Sequence, residues 1–142
     1  MSTETSKPTM RSLPRFPEPD TQPFWEATKS HELLYQVCNA CFTVVFYPRS
    51  HCTNCTSLDL SWEKSKGQGT IYTYSIVRRS QHPAFRDLVP YVVAWVDLDE
   101  KFRMLTNIVG VRDAATELHI GQRVSVEWLD YDVVSLPVFR PL

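Results

Sequence analysis

Four cysteines carry the clearest chemical signal in this sequence, because they form two Cys-x-x-Cys pairs with ten residues between them. A tight turn across each pair directs both sulfurs toward one ion, and two pairs supply the four thiolates of a tetrahedral site. The spacing predicts a metal site, with zinc as the first expectation and iron in the same all-sulfur tetrahedron as the alternative. Disulfides and thiol redox chemistry are the remaining interpretations. The predicted ligands are Cys38, Cys41, Cys52 and Cys55.

This predicted site is closed to substrates. Four sulfurs complete a tetrahedron, so no coordination position remains for an activated water, and we expect a structural ion rather than a catalytic one. The segment around the cysteines is too short to bury a core alone, whereas structural zinc contributes about 10–16 kcal/mol of apparent binding free energy. His51 precedes Cys52, but the cysteines already complete the ligand set, so we expect a surface histidine.

Length and composition indicate a folded globular chain. It has 142 residues, of which 43% are hydrophobic, enough for one domain with a small appendage. No run of about eighteen apolar residues occurs, and the N-terminal stretch lacks the apolar segment of a secretory signal. We therefore expect a cytoplasmic protein without a membrane segment, in which thiols stay reduced. A net charge of −1 gives no general attraction to nucleic acid.

The N-terminal region divides into an arm and a helix. Residues 1–19 are rich in Pro, Ser, Thr and charge, and they are predicted to form an extended arm. The segment 20–33 is predicted to contain a short helix over roughly residues 22–31. Its adjacent Phe24 and Trp25 carry more apolar surface than a helix of this length can bury alone. They pack either on their own domain or on a partner subunit, and the sequence leaves both interpretations open.

The rest of the chain reads as a zinc ribbon over residues 34–58, followed by a β-domain over residues 59–142. In the second part, β-branched and aromatic runs indicate five short strands with a tight bend at Gly67 and Gly69. Such strands favour a small antiparallel barrel of the OB type, with a sandwich as the alternative. The closing "LPVFRPL" contains two prolines and is predicted to run over the surface or onto a partner.

A long loop between two predicted strands is the main candidate for binding outside the cysteines. The stretch "VRRSQHPAFRDLVPY" mixes cations with flat side chains, and arginine suits phosphates and carboxylates. A solvated loop with its aromatics tucked into the barrel explains the same residues equally well. The candidates for contact with a ligand or a partner are Arg78, Arg79, His82, Phe85 and Tyr91.

No familiar catalytic motif stands out. The sequence has no Gly-rich phosphate loop after a strand and no G-x-S-x-G elbow, and all its cysteines are assigned to the metal. Asp97, Asp99 and Glu100 cluster where a hairpin turn is expected, so we interpret them as solvated turn residues. A thioester hydrolase using His82 or Asp97 is a third functional class to weigh.

In order and spacing, these residues resemble a known family: acyl-CoA-associated proteins that join a rubredoxin-like zinc ribbon to an OB-fold, long catalogued as a domain of unknown function. The resemblance covers residues 23–141. It implies that the four cysteines are metal ligands, and relatives often have glycine where Phe42 stands here. The matching stretches are "PFWE", "CNAC", "FYPR", "CTNC", "GQGTIYTYSIV", "HPAF", "PYVVAWVDLDE", "LTNIVG", "IGQRV" and "LPVFRP".

The resemblance also implies a function. Members of this family associate with thiolase-fold enzymes, including thiolases and thiolase-like aldolases, and support complex formation and acyl-CoA binding in lipid or aromatic acid metabolism. We therefore expect a non-catalytic, zinc-binding accessory subunit, in a hetero-tetramer with a thiolase-fold enzyme that performs the chemistry. The alternative is a single-stranded nucleic-acid-binding protein with Tyr72, Tyr74 and Trp95 as stacking platforms, although its slight acidity argues against nucleic acid.

Overall fold

The computed structural model of the chain describes residues 11–15 and 18–142. The predicted arm therefore lies largely outside the described residues. Its described residues, 11–15 and 18–19, form no helix or strand, and Arg11 lies over the ring of Phe85.

The helix α1 spans Gln22–Thr28 and is shorter than the predicted 22–31. It ends where the chain reverses: the N–H groups of Ser30 and Glu32 both donate to the carbonyl of Ala27, and His31 has a φ of 57°. Residues after Thr28 thus form turns instead of a further helical turn.

A three-stranded antiparallel sheet holds the cysteine region. Its strands are β1 (Leu34–Cys38), β2 (Val44–Val45) and β3 (Leu60–Lys64), in the order β2-β1-β3. The sequence assigned the third of these strands to the barrel, and that assignment was wrong. All five residues of β3 pair with β1, so this strand closes the sheet that begins beside the first cysteine pair.

The remaining strands close into the expected OB-like barrel. They are β4 (Gln68–Val77), β5 (Tyr91–Leu98), β6 (Arg103–Ile108), β7 (Arg123–Asp130) and β8 (Ser135–Pro141), in the order β4-β5-β6-β8-β7. A short helix, α2 (Ala114–Glu117), lies between β6 and β7. Alternate residues of β5 face the core, as the period of a half-buried strand requires.

The bend predicted before the barrel is present. Gly67 has a φ of +72°, and a Cβ atom at this position would lie 2.3 Å from Cγ1 of Val126. Only glycine fits both the left-handed backbone and the close approach of β7.

The closing segment "LPVFRPL" belongs to β8, so its prediction as a surface tail was wrong. Residues two apart in a strand direct their backbone groups to the same neighbour. The carbonyls of Pro137 and Phe139 both face β6, since they accept hydrogen bonds from Thr106 Oγ1 (3.1 Å) and the Val109 N–H (2.8 Å). Pro141 has the same parity. Both prolines therefore lack an N–H only toward β6, which is bridged to β8 at a single residue pair, while seven pairs join β8 to β7.

The core of the barrel is also the core that receives α1. Phe139 is fully buried, and Phe24 from the helix is 4% exposed in the same cluster. A second, smaller cluster surrounds the cysteines, with Val45 as its buried aliphatic side chain. Among the described residues, no helix is long and apolar enough to cross a membrane.

Candidate metal centre and neighbouring surfaces

The four predicted ligands converge. Their sulfur atoms all lie within 4.8 Å of one another, and none is in a disulfide. Across the two pairs, the Sγ atoms of Cys38 and Cys55 are 3.6 Å apart, as are those of Cys41 and Cys52. A tetrahedral ion with bonds of about 2.3 Å to sulfur holds its ligands about 3.8 Å apart. The spacing therefore fits one ion bound by four thiolates.

The two cysteine pairs are built as equivalent knuckles. In the first, the N–H of Phe42 donates to the Cys38 carbonyl at 2.9 Å; in the second, the N–H of Thr56 donates to the Cys52 carbonyl at 3.1 Å. Phe42 and Thr56 both have a left-handed backbone, with φ of 63° and 66°. In each knuckle the backbone thus turns sharply just after the second cysteine, and this turn brings both sulfurs of the pair to the same side.

Backbone and side-chain donors surround the sulfurs. The N–H groups of Ala40 and Asn54 point at the first sulfur of their own knuckles, at 3.4 and 3.3 Å. The Asn54 amide also donates to Cys41 Sγ at 3.6 Å, and the Thr43 hydroxyl lies 3.1 Å from the same atom. These donors favour thiolate over thiol, and the cysteine spacing alone does not identify Thr43 and Asn54.

The pKa values of the thiols follow from this arrangement. The Thr43 hydroxyl, then the Thr43 backbone and the Asn54 side chain, lower the pKa of Cys41 to about 5. The Ser57 backbone hydrogen bond lowers the pKa of Cys55, but the sulfurs of Cys41, Cys38 and Cys52 together with burial outweigh it and raise the pKa to about 12. Sulfurs this close do not ionise together unaided. A cation at their centre removes that conflict, as expected for a metal site whose ligands bind as thiolates.

The centre is closed on the protein side. Cys38 and Cys52 are fully buried beside Val45, and Cys55 is the exposed ligand. A four-sulfur tetrahedron leaves no position for a reacting group, so the arrangement can organise the chain but cannot activate a water. His51 is exposed and lies outside the set of four.

The candidates in the long loop are brought together only in part. The rings of His82 and Phe85 lie 5.3 Å apart, and Phe85 and Tyr91 lie 6.0 Å apart, so these three form a row. Arg78 and Tyr91 line a depression of about 240 Å³ that does not include His82 or Phe85. Arg79 is exposed.

The two aromatic residues of α1 have different surroundings. Phe24 packs edge-on against Trp25 at 4.9 Å and against Phe46 at 5.9 Å, inside the core of its own chain. Of the two interpretations left open for Phe24, packing on its own domain applies, because a side chain 4% exposed has no surface left for a partner. Trp25 is half-buried and lines a surface depression with Tyr47.

Two of the three aromatic residues considered as stacking platforms, Tyr72 and Tyr74, have polar partners within the chain, whereas Trp95 is 36% exposed. The Arg103 guanidinium lies 3.5 Å from the centre of the Tyr72 ring and is itself paired with Asp97 at 2.6 Å. The Tyr74 hydroxyl donates to the Leu118 carbonyl at 3.0 Å. Asp97 lies in β5 rather than in the turn, and it pairs with Arg103 on the neighbouring strand β6, so its interpretation as a solvated turn residue was wrong.

Two family models match consecutive parts of the chain. The rubredoxin-like zinc ribbon domain of ChsH2 matches residues 25–61, and the C-terminal OB-fold domain of ChsH2 matches residues 62–129. A DUF35 domain-containing scaffold protein of Methanocaldococcus jannaschii is 32% identical over 102 residues, which cover 70% of this chain and 70% of that protein. The chain belongs to the ChsH2/DUF35 family.

Other relatives extend this similarity. A protein of Thermomonospora curvata described as a probable enoyl-CoA hydratase alpha subunit is 42% identical over 120 residues, or 83% of this chain and 36% of that protein. The solved structure of an Ltp2-ChsH2(DUF35) aldolase contains a chain with 37% identity and a TM-score of 0.79, covering 90% of this chain and 98% of that one. This ChsH2/DUF35 chain spans little more than a third of the length of the hydratase subunits it matches, 36% and 38%.

One residue with an unusual environment escaped the sequence analysis. Arg11 lies in the arm, before residue 25, where the match to the ChsH2 models begins. Its guanidinium carbon is 5.1 Å from the centre of the Phe85 ring. Its Nε atom is buried and has no hydrogen-bond partner among the described residues. The arm has no apolar period, so nothing in the local pattern distinguished this arginine from its neighbours.

Proposed function

We propose that this chain is a non-catalytic, metal-binding accessory subunit of an enzyme complex that acts on acyl-CoA. The observation that carries the proposal is the near-complete match to a chain of the Ltp2-ChsH2(DUF35) aldolase, at 37% identity over 98% of that chain. The hydratase alpha subunit of Thermomonospora curvata points to the same substrate class. The closed four-sulfur centre agrees with a supporting role, since it offers no reactive ligand position.

The bound ion in this proposal is one structural Zn²⁺ held by the four cysteines. Purification under reducing conditions followed by elemental analysis tests it, with one zinc per chain as the expected result. Iron at the same stoichiometry, with the visible absorption of an iron–thiolate centre, would replace zinc by the alternative metal. Absence of both metals would overturn the site.

The partner in this proposal is a thiolase-fold enzyme, in an assembly of two copies of each chain. Co-expression with a thiolase-fold protein encoded nearby should yield a complex whose mass fits two chains of 16.4 kDa plus two partner chains. A parallel co-expression with a hydratase subunit tests the other enzyme class suggested by the relatives. A monomer that does not bind the thiolase-fold protein would refute that partner. Thioester turnover by the isolated chain would refute the non-catalytic role.

The long loop and α1 provide candidate contacts with acyl-CoA or the partner. Arg78 and Arg79 are exposed cations at the start of the loop, Arg78 shares a depression with Tyr91, and Trp25 is the half-buried aromatic residue of α1. If the loop binds the phosphates of CoA, Arg78→Gln and Arg79→Gln should each weaken acyl-CoA binding to the complex, whereas Lys101→Gln, on the hairpin between β5 and β6, should not. Equal effects of all three variants would assign the binding elsewhere.

Single-stranded nucleic-acid binding remains the alternative function, but it has weaker support. One face of Tyr72 is covered by Arg103, whose charge is paired with Asp97, so that face is closed to a base and the cation already has an anionic partner. A salt-dependent gel shift with single-stranded DNA or RNA would favour this alternative over the accessory role.

A further inference from the structure

A groove crosses the barrel surface where β6 meets β8. It consists of two adjoining depressions of about 230 and 200 Å³, which share Arg11 and Asn107 as lining residues. We call it the seam groove. Its first depression is lined mainly by apolar side chains, including Phe85, Leu88, Tyr91, Ile108 and Leu129. Its second depression includes Trp25, Tyr47, Leu136 and Pro137.

The groove lies at the least paired junction of the barrel. β6 and β8 are bridged at one residue pair only, whereas every other neighbouring pair of strands in the barrel is joined at three pairs or more. The prolines of β8 remove N–H groups from this junction, where the Thr106 hydroxyl donates to the Pro137 carbonyl. The surface between these two strands is therefore open to side chains and ligands rather than closed by a hydrogen-bonded ladder.

Arg11 places one positive charge between the two depressions. Its guanidinium lies over the face of Phe85, and its buried Nε lacks a hydrogen-bond partner among the described residues. Within the same part of the chain, no carboxylate lies at ion-pair distance from Arg11. The Arg11 side chain as a whole is half-buried, and a buried donor without an acceptor is costly. The groove therefore lacks one acceptor that carries a negative charge.

We propose that the seam groove binds an amphipathic carboxylate, with its carboxylate on Arg11 and its apolar chain against Phe85, Leu88 and Leu129. Apolar walls favour an apolar body, and the guanidinium presents the fork of donors that a carboxylate matches. One cation balances one negative charge, whereas a phosphate dianion would leave a charge uncompensated in an apolar site. The proposal goes beyond the accessory function, because it concerns the isolated chain and a residue outside the matched family segments.

The test uses the isolated, metal-loaded full chain and three six-carbon probes: hexanoate, hexan-1-ol and hexyl phosphate. Titrations followed by amide NMR should show saturable shifts with hexanoate at Leu88, Asn107 and Val109. Hexan-1-ol should bind at least about ten-fold more weakly, because it cannot make the charge-assisted contact. Arg11→Gln should weaken hexanoate binding by about ten-fold or more and leave hexan-1-ol unchanged.

Arg15→Gln is the matched control, because Arg15 is an exposed arginine of the same arm. It should bind hexanoate like the unaltered protein, and both variants should keep the same unfolding temperature as the parent. Equal binding of hexanoate and hexan-1-ol would overturn the proposal, as would equal losses in the two variants or shifts outside the groove. Tighter binding of hexyl phosphate than of hexanoate would overturn the assignment to carboxylates. None of these outcomes depends on docking to an enzyme, so failure here and failure of the proposed function are separable.

Discussion

Removing the metal should unfold the knuckles and leave the barrel folded. The small cluster around the sulfurs contains, besides cysteines, buried Val45 and half-buried Leu60. Burying two such side chains stabilises by about 3–5 kcal/mol in total, whereas structural zinc contributes about 10–16 kcal/mol. The metal therefore stabilises this region roughly three times as much as the packing of its apolar side chains does. The main core contains none of the four cysteines, so the same loss should not reach the barrel.

Hydrogen exchange read by mass spectrometry resolves the two regions. In the metal-loaded protein, the N–H of Asn39 is held by the Asp59 carbonyl at 2.9 Å, and the N–H of Cys52 by the Ser57 carbonyl at 2.9 Å. After chelation, with metal loss verified by elemental analysis, the knuckle residues 39–43 and 52–57 should exchange at the rate of an unstructured chain. Amides of β5 should keep their protection.

Two variants sharpen the result. Cys41→Ser should lose the metal and reproduce the exchange pattern of the chelated protein. His51→Ala should keep both the metal and the protection, because this exposed histidine lies outside the ligand set. Unchanged protection of residues 39–43 and 52–57 after verified metal loss would refute the reasoning, and so would a loss of metal in His51→Ala as large as that in Cys41→Ser.

Three further results are expected. Phe139→Ala should destabilise the protein by about 3–5 kcal/mol in denaturant unfolding, whereas Leu142→Ala, at a residue 72% exposed, should change stability by less than about 0.5 kcal/mol. Phe42→Gly should raise stability by about 1 kcal/mol in calorimetry of the metal-loaded protein, because it relieves a left-handed backbone at a side chain 78% exposed. The pKa of Asp130 is lowered, chiefly by the Ser135 hydroxyl. Its contribution to the free energy of unfolding is therefore present above the pKa that Asp130 has in the unfolded chain, and it is lost as pH falls through the lower pKa of the folded protein. Ser135→Ala should raise the pKa of Asp130 in a carboxyl NMR titration, and an unchanged value would contradict the assignment.

The ligand set could be predicted from the sequence because its geometry is local. Each Cys-x-x-Cys pair fixes its own turn, and four sulfurs with no other partner are best satisfied by binding one ion together. The positive φ of Phe42 had a weaker signal, namely the glycine that the family resemblance implies for this position. The structure shows that the knuckle keeps the same turn with a bulky residue, since the side chain points into solvent.

The errors came from long-range pairing. A sequence window cannot show that β3 pairs with β1, because both strands are short and each suits a barrel equally well. The two prolines of β8 argued against a strand on average, but their equal parity confines the missing N–H groups to one side. The sequence "LPVFRPL" shows that the two prolines are four residues apart and so face the same side of a strand. This spacing is compatible with a strand that is fully paired on its other edge. Arg11 had no comparable signal, because its environment depends on Phe85, far along the chain.

The metal centre and the seam groove are physically connected, although the ion itself is closed to ligands. The chain between the two knuckles passes through Phe46, whose ring lies 4.6 Å from that of Phe102 in the main core, and then through Tyr47. Tyr47 lines the second depression, and its hydroxyl accepts a hydrogen bond of 2.8 Å from the N–H of Leu105 on β6. Gln36 on β1 holds the same segment through two hydrogen bonds with the backbone of Arg49. Loss of the ion would release the two knuckles at the ends of this segment, and Tyr47 would then be held less firmly. A structural metal with no chemistry of its own therefore helps to position one wall of the groove.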